Sequence, residues 1–352
     1  MRKTTVLFFC AVVLIFMTSS LVNSAEVVKL KYANYLPPTH KMSLLGQQFC
    51  EEVNKRSNGR VEITYYPGGT VLTPAKMFNG VVTGIADMGL SHIGYTRGRF
   101  PVTEVFDLPL GFTSGYVASQ VSNDFYNKFK PVEWDSVHIL YLTTSGPLIL
   151  QTVSKPVKNL QDLKGLKIRA TGAATDVVKA LGALPMPLEM PDVYEALRRA
   201  VIDGIMVDLS TLKYWKFAEV EKYVTASWQL GTGISFYFVI NKDKWNSLPP
   251  DIQKIFTEVA AETNEKQAAL WNEMDIEGID LFKSGGGQIF PLAAAEATKW
   301  VKAVEPVIAA YKKDMVSKGF KGAEVDSWVK YIKERIEYWK KEEKKRAVPT
   351  PF

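Results

Sequence analysis

Arg169 closes a short alternating stretch, Leu166-Lys167-Ile168-Arg169, after which Thr171-Gly172 turns the chain. Leu166 and Ile168 can enter a core while a guanidinium is left at the strand's C-terminal end. Open α/β sheets bind their ligands at that end. A guanidinium offers a rigid fork of donors that matches a carboxylate in bidentate geometry, which the point charge of a lysine does not reproduce. Arg169 is therefore read as a carboxylate anchor. The competing reading is a strand-end arginine that is solvated or paired with a nearby acid.

Catalytic constellations are not found around it. Gly89-Leu90-Ser91-His92-Ile93-Gly94 nearly matches a nucleophile elbow, but the second glycine falls one position late. His40, His92 and His138 are the three histidines, and no two stand at the spacing of metal ligands. Walker and Gly-x-Gly-x-x-Gly cradles are missing, so no nucleotide cofactor is expected. Cys50 falls inside a helical stretch, where a small buried core residue is the expected role. The chain reads as a binder rather than an enzyme, without cofactor or metal.

The N-terminus points to export. Arg2 and Lys3 precede an apolar run from Val6 to Met17, and Val22-Asn23-Ser24 stands before a polar start. That run falls short of the roughly 20 residues that cross a bilayer as a helix. Residues 1–24 are expected to be a signal peptide and the mature chain to be periplasmic. Removing them takes two of the 43 basic side chains and none of the 37 acidic ones, leaving +4. Basic and acidic residues are intermixed, which argues against nucleic acid as a partner. The densest basic stretch, Lys340 to Arg346, contains Glu342 and Glu343 and is expected to be a solvated tail. Only Cys50 survives cleavage, so no intramolecular disulfide can form.

Several elements can hold Arg169 in place. Strands are expected over 28–33, 61–66, 87–90, 138–142, 149–154, 166–169 and 204–207, with helices over 43–56, 73–82, 173–181 and 192–201. This alternation predicts parallel α/β sheets, and the mature length favours two lobes over one. Residues 234–240 form an apolar and aromatic run interrupted only by Ser235, as in a strand covered on both faces. From Pro249 to about Phe282 a helical pattern runs for roughly 50 Å, enough to brace two lobes, with Gly278 as a possible break. A strand at 288–291, a helix over 293–318 kinked at Pro306 and a helix over 326–345 complete the chain.

Five blocks, read together, resemble a known family. They are Val105-Phe106-Asp107-Leu108-Pro109, the Asp162 to Arg169 segment, Ala183-Leu184-Pro185-Met186-Pro187, Val193-Tyr194-Glu195-Ala196-Leu197 and Val201-Ile202-Asp203-Gly204. Their order and spacing resemble the DctP-type solute receptors of tripartite ATP-independent periplasmic (TRAP) transporters, over nearly the whole mature chain. The resemblance implies an α/β, two-lobed periplasmic binding protein fold, type II-like, with hinge strands and a long helix spanning both lobes. Lobe I would take residues 26–146 and 233–272, lobe II residues 147–232 and 273–325, and a C-terminal helix and tail residues 326–352. It implies that Arg169 binds the carboxylate of an organic acid, which is then delivered to DctQ- and DctM-like permease subunits. The receptor itself is expected to be a monomer.

Departures from the family's sialic-acid receptors bear on the ligand. Where those carry a second arginine, this chain has Pro147-Leu148-Ile149-Leu150 before Gln151-Thr152-Val153-Ser154. Val207 and Met190 stand where those receptors place an asparagine and a phenylalanine. The implied pocket is less polar and suits a monocarboxylate with an apolar or aromatic body. Ile149, Met190, Val207, Tyr35 and Trp215 would line it, and Asp208 would read a hydroxyl or an amine. The competing reading makes Met190 and Val207 ordinary core residues, and aromatic residues at strand ends often serve only in packing. Rival functions are a receptor for an ABC importer, a receptor for a sensory kinase and an exported enzyme.

Overall fold

The computed structural model describes residues 27–351, so the expected signal peptide over 1–24 lies outside the described residues. Among the described residues eleven strands form two sheets. The first has the order β2-β1-β3-β10-β4, from Val28–Asn34 (β1), Val61–Tyr66 (β2), Met88–His92 (β3), Val137–Thr144 (β4) and Ser235–Asn241 (β10). The second has the order β11-β9-β5-β8-β6-β7. Its strands are Ile149–Thr152 (β5), Lys167–Arg169 (β6), Leu184–Met186 (β7), Gly204–Val207 (β8), Tyr223–Ala226 (β9) and Gln288–Pro291 (β11). Each sheet is thus built from segments on both sides of a double crossing of the chain.

The sheets are mixed, which corrects the expectation of parallel sheets. β10 runs antiparallel to β3 and β4, and β5 runs antiparallel to β8 and β9. Both reversed strands are entered directly from the other sheet, with no helical return to bring the chain back to its starting end. The crossing segments bond to each other, Ser145 N to Ile234 O at 2.9 Å and Leu148 N to Thr232 O at 2.8 Å. They form the hinge. All seven residues of β10 are buried, as expected for an apolar run covered on both faces.

A single helix, Pro250–Ser284, braces the two sheets and continues for 35 residues. It packs on the Lys41–Arg56 and Gly115–Phe129 helices of the first sheet and on Thr211–Tyr214 and β11 of the second. Gly278 does not break it. A Cβ there would collide with the Leu209 carbonyl, so the missing side chain admits a close approach by the loop after β8. The Gly115–Phe129 helix has no counterpart in the sequence expectations, although Ser114 caps it by accepting from Val117 N at 3.1 Å. Val117, Val121 and Phe125 repeat every four residues and are all buried.

The basic C-terminal stretch is helical, with Lys341, Lys344, Lys345 and Arg346 exposed and Glu343 turned inward. It belongs to the Gly322–Lys345 helix, which begins four residues before the expected Asp326. Glu343 is buried and accepts from Ser114 Oγ at 2.5 Å and Asn272 Nδ2 at 2.9 Å. Asn272 also donates to Pro349 O at 2.9 Å, and Arg346 donates to Tyr116 OH at 2.9 Å. A charge run with two acids among the bases carries no sign of which of its members will be satisfied internally, and here one glutamate is.

Candidate functional site

Parallel strands from both sheets point their C-terminal ends at one cavity. From the first sheet come the residues just past β1 and β3, which are neighbours there, Tyr35 and Tyr95 among them. From the second come Arg169 at the end of β6 and Asp208 just past β8, again neighbours. Ile234 and Phe236, at the hinge end of β10, and Trp271 of the long helix close the floor. The strand-end rule that singled out Arg169 thus operates twice, once from each sheet.

Arg169 is only 2 % exposed. Its Nε and Nη2 both donate to the Leu188 carbonyl, at 3.0 and 2.8 Å. A neutral acceptor therefore orients the guanidinium without cancelling its charge. None of the ion pairs among the described residues includes Arg169, so the acid-paired alternative is not what the structure contains. Leu188 precedes the Met190–Arg198 helix, and Met190 N donates to Tyr95 OH at 3.2 Å. Burial raises the Tyr35 and Tyr95 hydroxyls above their ordinary range, and the nearby Arg169 charge opposes that rise in both. The two phenols are neutral hydroxyls at neutral pH.

Two histidines that the sequence left without a role line the cavity. His92 Nδ1 lies 2.9 Å from the Ser235 carbonyl, which only accepts, so the ring proton sits on Nδ1. Its Nε2 then accepts from Thr171 Oγ1 at 3.1 Å, joining β3 to the turn after β6. His40 caps the Lys41–Arg56 helix, its Nδ1 accepting from Met42 N at 3.2 Å. Burial brings both rings down to about 3, with the Arg169 charge adding to the effect at His92. They are neutral polar groups here. His138 lies elsewhere, stacked on Trp245 at 3.7 Å. Among the described residues no group of three or more His, Cys, Asp or Glu could hold a metal ion.

Of the residues expected to line the ligand, the structure brings Tyr35, Arg169, Met190, Val207, Asp208 and Trp215 together. Tyr35 stacks on Trp215 at 6.4 Å and meets Tyr95 edge-on at 5.8 Å. Ile149 is not among them. It is buried in a separate cluster with Leu209, Leu212, Val224 and Phe282. β5 lies beyond β8 from β6, two strand spacings of about 4.8 Å from the Arg169 strand. What β5 contributes instead is Gln151, whose Nε2 donates to the Val207 and Asp208 carbonyls at 3.1 and 3.2 Å.

The lobes meet at the rim through ion pairs and one tight backbone approach. Glu277 of the long helix accepts from Lys41 at 2.6 Å, from Lys213 at 2.8 Å and from Tyr214 OH. It thereby ties a helix of the first sheet to one of the second, and these partners hold its carboxyl down to about 2 against a desolvation that raises it. Arg97 pairs with Asp176 across the opposite rim and donates to Thr175 Oγ1 at 2.8 Å. Gly172 adopts φ +57, and a Cβ on it would stand 3.0 Å from Gly94 Cα and from Asp107 Oδ2. Only a glycine lets the turn after β6 come this close to the segment after β3.

Comparison with known proteins agrees with this geometry. Residues 32–314 match the family model described as bacterial extracellular solute-binding protein, family 7, DctP. A TRAP periplasmic solute-binding protein from Desulfovibrio salexigens is 32% identical with a TM-score of 0.76, over 88% of this chain and 96% of that one. A TRAP solute-binding protein from Rhodoferax ferrireducens, solved with copurified benzoate, is 26% identical with a TM-score of 0.84, over 90% and 99%. The 2,3-diketo-L-gulonate-binding periplasmic protein YiaO of Escherichia coli is 26% identical over 293 residues, 82% of this chain and 88% of its own. The two sheets, the double crossing and the long bracing helix are the two-lobed binding protein fold, and the chain belongs to the bacterial extracellular solute-binding protein family 7, the DctP receptors of TRAP transporters.

Proposed function

We propose that this receptor closes on an organic monocarboxylate with an apolar or aromatic body, Arg169 gripping the carboxylate, and delivers it to a TRAP permease. The observation that carries this reading is a buried guanidinium fixed by a neutral carbonyl at the meeting point of two sets of strand ends. Met190, Val207, Tyr35 and Trp215 give the remainder of the cavity apolar and aromatic walls. The benzoate in the Rhodoferax ferrireducens neighbour supports the aromatic preference. Asp208 is assigned to a hydroxyl or amine on the ligand body.

The cavity volume is about 30 Å³, close to one water's share of liquid volume, whereas benzene occupies an engineered cavity of about 150 Å³. An aromatic acid must therefore enter with the lobes parted, and closure follows because its body touches the second lobe only when they shut. Export through residues 1–24 would bring the chain to the periplasm. There the DctQ- and DctM-like subunits would receive the acid from a monomeric receptor that catalyses no reaction.

A thermal-shift screen of carboxylic acids tests the ligand class. A ligand at 100 times its dissociation constant adds about 2.7 kcal/mol of stability. Benzoate and branched-chain acids are expected to raise Tm most. A larger rise with a sialic acid or a C4-dicarboxylate would overturn the preference.

A further inference from the structure

Two carboxyl groups meet at one serine beside the candidate cavity. Ser210 Oγ donates to Asp208 Oδ1, and Ser210 N donates to Asp275 Oδ1 at 2.8 Å. Asp208 lines the cavity, while Asp275 of the long helix is buried behind it with no hydrogen-bond partner for its Oδ2. The other titratable groups facing Asp208 are Tyr35 and Tyr95 beyond β1 and β3, His40, His92 and Arg169. Both phenols and both imidazoles are neutral for the reasons given above. Arg169 is thus the one cation among the described residues lining the cavity, and its charge acts on Asp208.

Two buried carboxyls that share a site do not both ionise readily. Burial, and next the charge of Asp208, hold Asp275 well above the usual carboxylate range. With one proton on the pair, a single negative charge remains, and Arg169 balances it. A carboxylate arriving at Arg169 upsets that balance, because one buried cation then faces two anions with no further countercharge.

We propose that the cavity takes up its carboxylate together with one proton, which settles on Asp208. The inference rests on the reading of Arg169 as carboxylate anchor. The balance is simple: solvent supplies the proton, one O–H bond forms on Asp208, and the acid enters as its anion. Burial pushes Asp208 up to about 6 while the Ser210 bond and the Arg169 charge pull it down. A ligand carboxylate on Arg169 weakens that downward pull, so the bound state holds the proton to higher pH than the free state does. Uptake is small at pH 5, where free Asp208 is already protonated, and approaches one per ligand at pH 7.5. Affinity falls about tenfold per pH unit above the free value while the bound form stays protonated.

Isothermal titration of benzoate in pairs of buffers whose ionisation enthalpies differ, phosphate and Tris at pH 7.5 and piperazine and MES at pH 5, counts the protons directly. Succinate and D-glucuronate serve as the other two probes. The expected result is close to one proton per bound anion at pH 7.5 and close to none at pH 5. Asp208→Asn is expected to abolish the uptake and flatten the pH profile. Binding without proton uptake at pH 7.5 overturns the proposal, and so does uptake that persists unchanged in Asp208→Asn. Should that variant not fold, the contrast between pH 5 and pH 7.5 in the wild-type protein decides. Phenylalanine binding more tightly than benzoate without a proton would also overturn it, since an ammonium would then be the balancing cation. Failure of all three anions to bind would instead remove the carboxylate reading and this inference with it, an outcome distinct from binding without a proton.

Discussion

Replacing Arg169 by alanine tests the anchor most directly. In the receptor, Nε and Nη2 are committed to the Leu188 carbonyl, and on the proposed reading the remaining guanidinium N–H groups serve the ligand. Truncation removes those donors and leaves the ligand's carboxylate buried without a partner. Breaking a desolvated charge pair costs about 2–5 kcal/mol, so Kd for benzoate is expected to rise between about thirtyfold and a few thousandfold. Titration calorimetry at pH 6, with circular dichroism to confirm folding, reads the change. Arg169→Lys sharpens the test because it retains the charge and removes the fork. A lysine ammonium cannot hold the Leu188 carbonyl and a carboxylate in the same fixed geometry, so a loss of at least about tenfold is expected, half or more of the smaller alanine effect on a logarithmic scale. Kd within about threefold of wild type in the alanine variant would refute the argument, because no buried charge pair can be lost so cheaply.

Gly278→Ala places a methyl group against the Leu209 carbonyl. Overpacking of this kind costs about 1–3 kcal/mol, so calorimetry should show Tm lowered by several degrees, and an unchanged Tm would mean that the helix and the β8 loop separate freely. Glu277 is held down to about 2 by Lys213, Lys41 and Tyr214. A depressed carboxyl contributes stability above its unfolded value near 4.5 and loses it as pH falls towards 2. Acid titration of Glu277→Gln should accordingly show a flatter stability curve between those limits, and a curve parallel to wild type would remove the rim clamp. Trp215→Ala removes the ring stacked beyond Tyr35. Aromatic pairs contribute about 0.5–1.5 kcal/mol beyond area burial, so benzoate affinity should fall at least about threefold, and an aliphatic acid of equal charge should lose less.

Much of the fold is legible in the sequence because its signals are local. β2, β8 and β11 fall on their expected residues, and the apolar and aromatic run at β10 announces a strand covered on both faces. Sheet direction is not local. Whether β5 and β10 run with or against their neighbours depends on where the chain crosses between sheets, and periodicity carries no record of that. Gly278 shows the same limit: a glycine in a helical pattern reads as a break, and only the Leu209 carbonyl pressed against it reveals a contact. The short strands β7 and β9 have no counterpart in the expectations, although β8 and β11 are no longer than β9.

The candidate site divides along the same line. Arg169 is recognisable because strand end, residue type and turn coincide within a few positions. His40 and His92 are 52 positions apart and gain meaning only when β1 and β3 pair and bring the segments beyond them together. Burial then holds each neutral, and backbone partners that no spacing rule could supply fix the rings in place. The same reasoning explains why the anchor works. A carboxylate partner for Arg169 would have been the easier motif to read, but it would compete with the ligand for the guanidinium. The Leu188 carbonyl orients the fork, and no ion pair among the described residues takes up its charge. On the proposed reading, a receptor that must release its acid gains from that arrangement: a cation rigid enough to select a carboxylate yet free of a direct ion pair.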